Sequence, residues 1–137
     1  MHSEWCTMSK EAGAAIRAAR GGRGDGGAGG RVFCVGTTSA RTVESYAGAV
    51  EGMSDGRGES WPAAMSTKIL ITPGYRWRWT DGMLTNFHLP RSTLLAMVGA
   101  LLSDQGTQGV QRLIARYREA IEKGYRFYSF GDAMLIL

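Results

Sequence analysis

The residues best suited to chemistry lie in one short stretch, TNFHLPRSTLL at positions 85–95. It concentrates an amide, an imidazole, a guanidinium and three hydroxyls: Asn86, His88, Arg91, Thr85, Ser92 and Thr93. An imidazole ordinarily titrates close to neutral pH, which makes His88 a candidate for moving a proton. Ser92 or Thr93 could simply cap a following helix, but capping does not explain the other side chains.

This stretch is predicted to be a turn between a strand and a helix. Pro90 has a fixed φ and no N–H, so an extended segment ends before it. The apolar residues from Leu94 to 102 recur at helical spacing. Because backbone N–H groups at a helix start have no intrahelical acceptor, this turn suits an anionic or carboxylate-bearing ligand.

A second turn of this kind follows the segment RVFCV at 31–35, which is predicted to be a strand buried on both faces. The sequence Gly-Thr-Thr-Ser comes next, and then a helical stripe that includes Val43 and Tyr46. Thr37 and Thr38 would then lie at the carboxyl end of a strand, where open α/β sheets bind ligands. Plain helix capping by Thr38 or Ser39 explains the same residues equally well.

Further strands are predicted at 68–72 and 83–85, and Asp81-Gly82 is predicted to be a tight turn. Between them YRWRW at 75–79 alternates aromatic and basic residues. Arg76 and Arg78 could meet RNA phosphates there, but the alternation is also typical of a half-buried strand, which we favour. Asp132 precedes a final apolar strand and is either a functional carboxylate or an ordinary turn residue.

The predicted fold class is α/β, with short strands in a mainly parallel or mixed sheet flanked by helices. We expect a single domain over 1–137, with a flexible glycine-rich loop at 21–30 and a connector at 48–66. Gly24, Gly26 and Gly29 match GxGxxG, but they precede a strand instead of following one, so we reject a dinucleotide site.

Composition favours a cytoplasmic protein with a polyanionic partner. The net charge is +4, and a solvated basic surface is the simpler explanation of that excess. Cys6 and Cys34 lack the spacing of a metal site, so we expect reduced thiols and no bound metal. No apolar run is long enough to span a membrane, and no signal peptide is recognisable.

Four segments, in this order and with these gaps, resemble a known enzyme family: VGTTSARTVES at 35–45, ITPGYRWRW at 71–79, TNFHLPRSTLL at 85–95 and YRFYSFGDAM at 125–134. They look like the C-terminal part of the S-adenosylmethionine:tRNA ribosyltransferase-isomerases of queuosine biosynthesis. The opening MHSE, with His2 and Glu4, also resembles a motif of this family. The resemblance implies that the chain is a catalytic-domain fragment of a larger two-domain enzyme, which we expect to be monomeric when full length.

The resemblance also implies a reaction, in which the ribosyl part of S-adenosylmethionine is transferred to 7-aminomethyl-7-deazaguanine at the tRNA wobble position. The ribosyl group isomerises to give epoxyqueuosine, while adenine and methionine leave. Such chemistry needs a base beside the sulfonium, groups that steady the leaving adenine, and cations for the tRNA phosphates.

Roles follow for the positions that match the motifs. The catalytic candidates are His88, as base, and Asp132, which could hold the sulfonium or the substrate amine. The S-adenosylmethionine-binding candidates are Thr37, Thr38, Asn86, Ser92 and Thr93. The substrate and tRNA-binding candidates are Arg76, Arg78, Arg91, His2 and Glu4. The alternative hypothesis is a non-catalytic remnant that binds tRNA or an adenosyl metabolite through the same edge.

Overall fold

The computed structural model describes residues 3–21, 29–52, 61–129 and 131–137. His2, residues 22–28 of the predicted glycine-rich loop and residues 53–60 of the predicted connector lie outside the described residues. The elements, in chain order, are β1 (Glu4–Cys6), α1 (Lys10–Gly21), β2 (Phe33–Val35), α2 (Thr37–Gly52), β3 (Met65–Thr67), β4 (Gly82–Asn86), α3 (Thr93–Leu102), α4 (Gln108–Glu122) and β5 (Ala133–Ile136).

The central sheet has the order β2-β4-β5. β2 runs parallel to β4 and β5 runs antiparallel to it, so the sheet is mixed, and the predicted fold class is confirmed. The parallel pair is joined through a crossover that contains α2, as parallel strands require. β4 is therefore the strand through which the other two are aligned.

One face of this sheet packs into the hydrophobic core. Met83 of β4 and Ile136 of β5 are buried there, in one cluster with Tyr46 of α2 and Val98 of α3. α3 and α4 approach each other closely, since a Cβ on Gly109 would lie 1.9 Å from the Gly99 carbonyl oxygen. A side chain at position 109 would therefore force the two helices apart.

β1 and β3 form a separate antiparallel pair that is fastened to α2. The hydroxyls of Ser45 and Thr67 are 2.6 Å apart, and the Glu4 carboxylate pairs with the buried Arg41 guanidinium. This small sheet thus covers part of α2.

Several predicted strands differ from those in the structure. Segment 31–35 is a strand only at Phe33–Val35, and Cys34 alone of these three is buried, so burial on both faces was wrong. The predicted strand at 68–72 is irregular, because strand pairing in this region is made by β3, which ends at Thr67. Segment 75–79 is not a strand either, although its aromatic side chains are more buried than its arginines, as the alternation predicts.

Asp81-Gly82 is not a tight turn, because Gly82 begins β4. The Asp81 carboxylate instead accepts the Val32 N–H at 2.7 Å and pairs with Arg20 at 3.0 Å. Asp81 thereby joins the end of α1 to the starts of β2 and β4. Both ends of the predicted connector 48–66 are also regular structure, since α2 continues to Gly52 and β3 begins at Met65.

Glu44 of α2 is a buried carboxylate that sequence reasoning did not single out. Its oxygens accept the backbone N–H groups of Arg78, Trp79 and Thr80 at 2.9, 3.0 and 2.9 Å. The Tyr75 hydroxyl donates to it at 3.0 Å. Burial, reinforced by the negative charge of Glu44, raises the pKa of Tyr75, so this hydroxyl keeps its proton and remains a donor.

We predict that Glu44→Gln lowers the free energy of unfolding by about 2–3 kcal/mol, because an amide N–H₂ replaces an acceptor that faces buried N–H donors. Glu51→Gln, on the same helix, is the matched control. Its exposed pair with Arg78 is worth less than about 1 kcal/mol. Urea unfolding followed by circular dichroism measures both, and equal effects of the two substitutions would contradict the prediction.

Candidate functional site

The candidate site is the edge of the central sheet where β2 and β4 end and β5 begins. Val35 pairs with Leu84, and Asn86 pairs with Ala133, so the residues that follow or precede these strands share one edge. We call this edge the rim and define it by Thr37, Thr38, Asn86, His88 and Asp132. The carboxyl ends of β2 and β4 and the start of β5 therefore lie together at one polar edge of the sheet.

Gly36 directs the chain from β2 into α2. Its N–H donates to the Leu84 carbonyl at 2.8 Å, which extends the β2–β4 pairing by one residue, and its own carbonyl accepts the Ala40 N–H as α2 begins. Gly36 has a φ of +86°, a conformation that side chains disfavour. The first turn of α2, with Thr37 half-buried and Thr38 exposed, therefore begins at the rim.

His88 is held at the rim by two hydrogen bonds. Its Nε2 lies 2.9 Å from the hydroxyl of the buried Thr85, and its backbone N–H donates to the Tyr117 hydroxyl at 2.8 Å. Burial lowers the pKa of His88, which favours the neutral imidazole at pH 7. A neutral, oriented imidazole that remains partly accessible can accept a proton.

An aromatic cluster supports the segment that carries His88. The ring of Phe87 is 5.3 Å from that of Tyr117 and 4.8 Å from that of Phe127, centroid to centroid. The Tyr128 N–H donates to the Phe87 carbonyl at 3.1 Å. The segment after α4 thus packs against the residues that carry His88 and stabilises the rim on the side of β5.

Asn86 and Asp132 are both tied to this segment. The Asn86 side-chain N–H₂ donates to the Tyr128 carbonyl at 3.2 Å, and Tyr128 has a φ of 69°, which is unusual for a residue other than glycine. The Asp132 carboxylate accepts the Arg126 backbone N–H at 2.7 Å and the Arg126 guanidinium at 2.8 Å. These hydrogen bonds lower the pKa of Asp132, so it is ionised and already engaged in holding the loop.

Residues 91–93 begin the helix that follows the rim. Of the two predicted caps, Ser92 is the one that caps α3: it accepts the Leu95 N–H at 3.1 Å, and its hydroxyl donates to the Leu89 carbonyl at 2.8 Å. Thr93 and Arg91 are exposed, and Arg91 has a φ of 60°. The Ser92 hydroxyl is therefore engaged locally, whereas Arg91 and Thr93 face solvent near the rim.

Arg76, Arg78 and Glu4 do not belong to the rim, and His2 lies outside the described residues. Arg78 pairs with Glu51 near the end of α2. Because Glu51 is 14 residues, or about 20 Å, along the helix from Thr37, Arg78 lies far from the rim. Arg76 is exposed in the same segment. Glu4 pairs with Arg41, one turn after Thr37, and so lies beside the first turns of α2.

Three supporting residues were missed by sequence reasoning: Glu44, Tyr117 and Tyr128. Glu44 directly follows Val43 and precedes Ala47 by three positions, so it could have been noticed as a charge on the apolar face of α2. Tyr117 recurs at helical spacing with Leu113 and Ile121, so its sequence position indicates only a place in an apolar stripe. Nothing in the sequence distinguishes Tyr128 from the neighbouring aromatic residues.

Among the described residues no helix is long and apolar enough to cross a membrane. Nor does that part of the chain contain a group of three or more His, Cys, Asp or Glu residues arranged to hold a metal ion.

Comparison with known proteins places the chain in a family. The family model described as "Queuosine biosynthesis protein" matches residues 1–136. The S-adenosylmethionine:tRNA ribosyltransferase-isomerase of Gloeobacter violaceus is 48% identical over 137 residues, which are 100% of this chain and 34% of that protein. The protein of the same name from Heliobacterium modesticaldum is 49% identical over 138 residues, with 100% and 35% covered.

A solved structure agrees with these matches. The crystal structure of the S-adenosylmethionine tRNA ribosyltransferase from Thermotoga maritima superposes with a TM-score of 0.76 at 37% identity. It covers 97% of this chain, which corresponds to 40% of the Thermotoga chain. The chain therefore spans about a third of the length of its curated relatives and corresponds to their C-terminal part. By the match over 1–136, this chain belongs to the queuosine biosynthesis protein family.

Proposed function

We propose that this chain provides the rim of an S-adenosylmethionine:tRNA ribosyltransferase-isomerase active site. The reaction transfers and isomerises the ribosyl group onto 7-aminomethyl-7-deazaguanine in tRNA, in the cytoplasm, to give epoxyqueuosine. The observation that carries the proposal is that a half-buried imidazole with a lowered pKa and a helix start both follow paired strands at one sheet edge. The names of the matched relatives supply the reaction.

His88 is the proposed base. In the tautomer whose Nε2–H donates to Thr85, Nδ1 carries the lone pair that accepts a proton. Because burial lowers the pKa of His88, this lone pair remains available at neutral pH. Thr85 and Tyr117 orient the ring and its backbone.

The rim fits S-adenosylmethionine as the ribosyl donor. The hydroxyls of Thr37 and Thr38 and the first N–H groups of α2 suit its methionine carboxylate. The Asn86 carbonyl oxygen can accept from a ribose hydroxyl or the adenine amine, since the Asn86 N–H₂ is directed to Tyr128. When bound, S-adenosylmethionine supplies the ribosyl group, and its adenine and methionine depart.

The other candidates take supporting roles. Asp132 carries negative charge toward the sulfonium or the substrate amine while it holds the Arg126 loop. Ser92 positions α3, and Thr93 offers a hydroxyl beside it. Arg91 meets a tRNA phosphate close to the reacting base, and Arg76 and Arg78 meet a more distant part of the RNA.

A single-turnover assay tests this function. The protein is incubated in molar excess over tRNA that carries 7-aminomethyl-7-deazaguanine, together with S-adenosylmethionine labelled in its adenine. We predict that labelled adenine is released and that the modified base gains the mass of the ribosyl group. His88→Gln should slow release by about 10²–10⁴-fold without weakening binding of the donor. Arg112→Gln, an exposed substitution on α4, is the control.

The outcomes separate the two hypotheses. Binding of donor and tRNA without adenine release would favour the non-catalytic binding protein. Binding of neither would contradict both. An unchanged rate in His88→Gln would remove His88 as the base.

A pH titration tests the state of His88 separately. We predict an NMR pKa for His88 below the ordinary value of about 6.5. Because the unfolded chain then binds the proton more readily, the free energy of unfolding should fall as pH drops from about 6.5 toward the folded pKa. His88→Gln should reduce this slope. A His2→Gln variant assigns the two histidine signals, and a His88 pKa at or above 6.5 would contradict the prediction.

A further inference from the structure

Within the described residues, one face of the central sheet is buried and the other is exposed. Side chains alternate along strands, so Cys34, Met83 and Ile136 point into the core. The register places Val35, Leu84 and Leu135 in one row across the other face. Phe33, which pairs with Gly82, precedes Val35 by two residues, and Leu137 follows Leu135 by two, so alternation places both on that same side.

This second face is apolar and open. We call it the apolar sheet face and define it by Phe33, Val35, Leu84, Leu135 and Leu137. Their exposed fractions range from 38 to 73%. Phe33 folds over Gly82, where a Cβ would lie 2.4 Å from its ring, and Arg31 covers the ring from 4.9 Å. A continuous row of aliphatic side chains across three strands is typical of a surface that another layer covers.

We propose that the apolar sheet face is the docking surface for the part of the family protein that precedes the matched region. The matched relatives devote about two thirds of their length to that part, since this chain covers 34–35% of them. A chain length of that size is sufficient to supply a covering layer. The occupant is a polypeptide surface of aliphatic and aromatic side chains, not a lipid or a nucleic acid.

The position of the face connects it to the rim. Asn86 and Ala133 continue the row pattern of the apolar sheet face and lie at the edge where His88 is held. A layer that covers Leu84 and Leu135 therefore also approaches the rim. The docked part would supply the opposite wall of the candidate site.

Association in trans tests the proposal without any substrate, so its result is independent of the proposed function. The tagged 137-residue chain is co-expressed with the segment of the Gloeobacter violaceus relative that precedes its matched region. Tag capture followed by light scattering should recover a 1:1 complex. Leu135→Glu should reduce recovery of the segment about tenfold or more, because it places a charge in the covered row.

Ile121→Glu on α4 is the matched control, since Ile121 is 63% exposed and Leu135 58%. This substitution should leave recovery unchanged. Thermal melting of each variant alone verifies folding, and Val35→Glu in β2 takes the place of Leu135→Glu if the latter unfolds. Recovery of the segment by the relative's own matched region but not by this chain would overturn the proposal. A homodimer of this chain that Leu135→Glu dissociates would also overturn it. Equal losses in recovery of the segment from Leu135→Glu and Ile121→Glu would do the same.

Discussion

The buried carboxylate of Glu44 is the interaction on which the rest of the structure depends. It accepts three consecutive backbone N–H groups from residues 78–80, just before β4 begins. Those groups would otherwise be buried without acceptors, and the carboxylate would be a buried charge without donors. One side chain therefore fixes where β4 enters the sheet relative to α2. Because β4 aligns both β2 and β5, the position of the rim follows from this contact.

The rim is built in two ways: by the backbone at the junction of β2 and α2, and by side-chain contacts at the end of β4. Gly36 starts α2 directly at the end of β2, so helix N–H groups and the Thr37 and Thr38 hydroxyls meet the sheet edge. Across β4, residues from α4 and the following loop hold His88 and Asn86 in place. The arrangement holds an oriented imidazole of lowered pKa at the same sheet edge as a helix start, which suits a cationic donor that also carries a carboxylate.

Local signals in the sequence predicted much of this fold. The cap at Ser92 and the final strand follow from residue types within one or two turns of each feature. The contacts of Glu44 could not be predicted, since its partners lie more than thirty residues away. Segment 31–35 was expected to be buried on both faces because its apolar run does not reveal which face a neighbour covers. The site residues were located by their motifs, but the support from Tyr117 and Tyr128 arises only from tertiary packing.

The central claim is that the ends of β2 and β4 form one wall of a site for an adenosyl donor. Amide chemical-shift mapping of the 137-residue chain on titration with S-adenosylmethionine tests it most directly. We predict saturable shifts concentrated at residues 36–38, 86–88 and 131–132, with α1 unaffected. Saturable shifts confined to α1 or to the 75–79 segment, or the absence of saturable shifts, would contradict it.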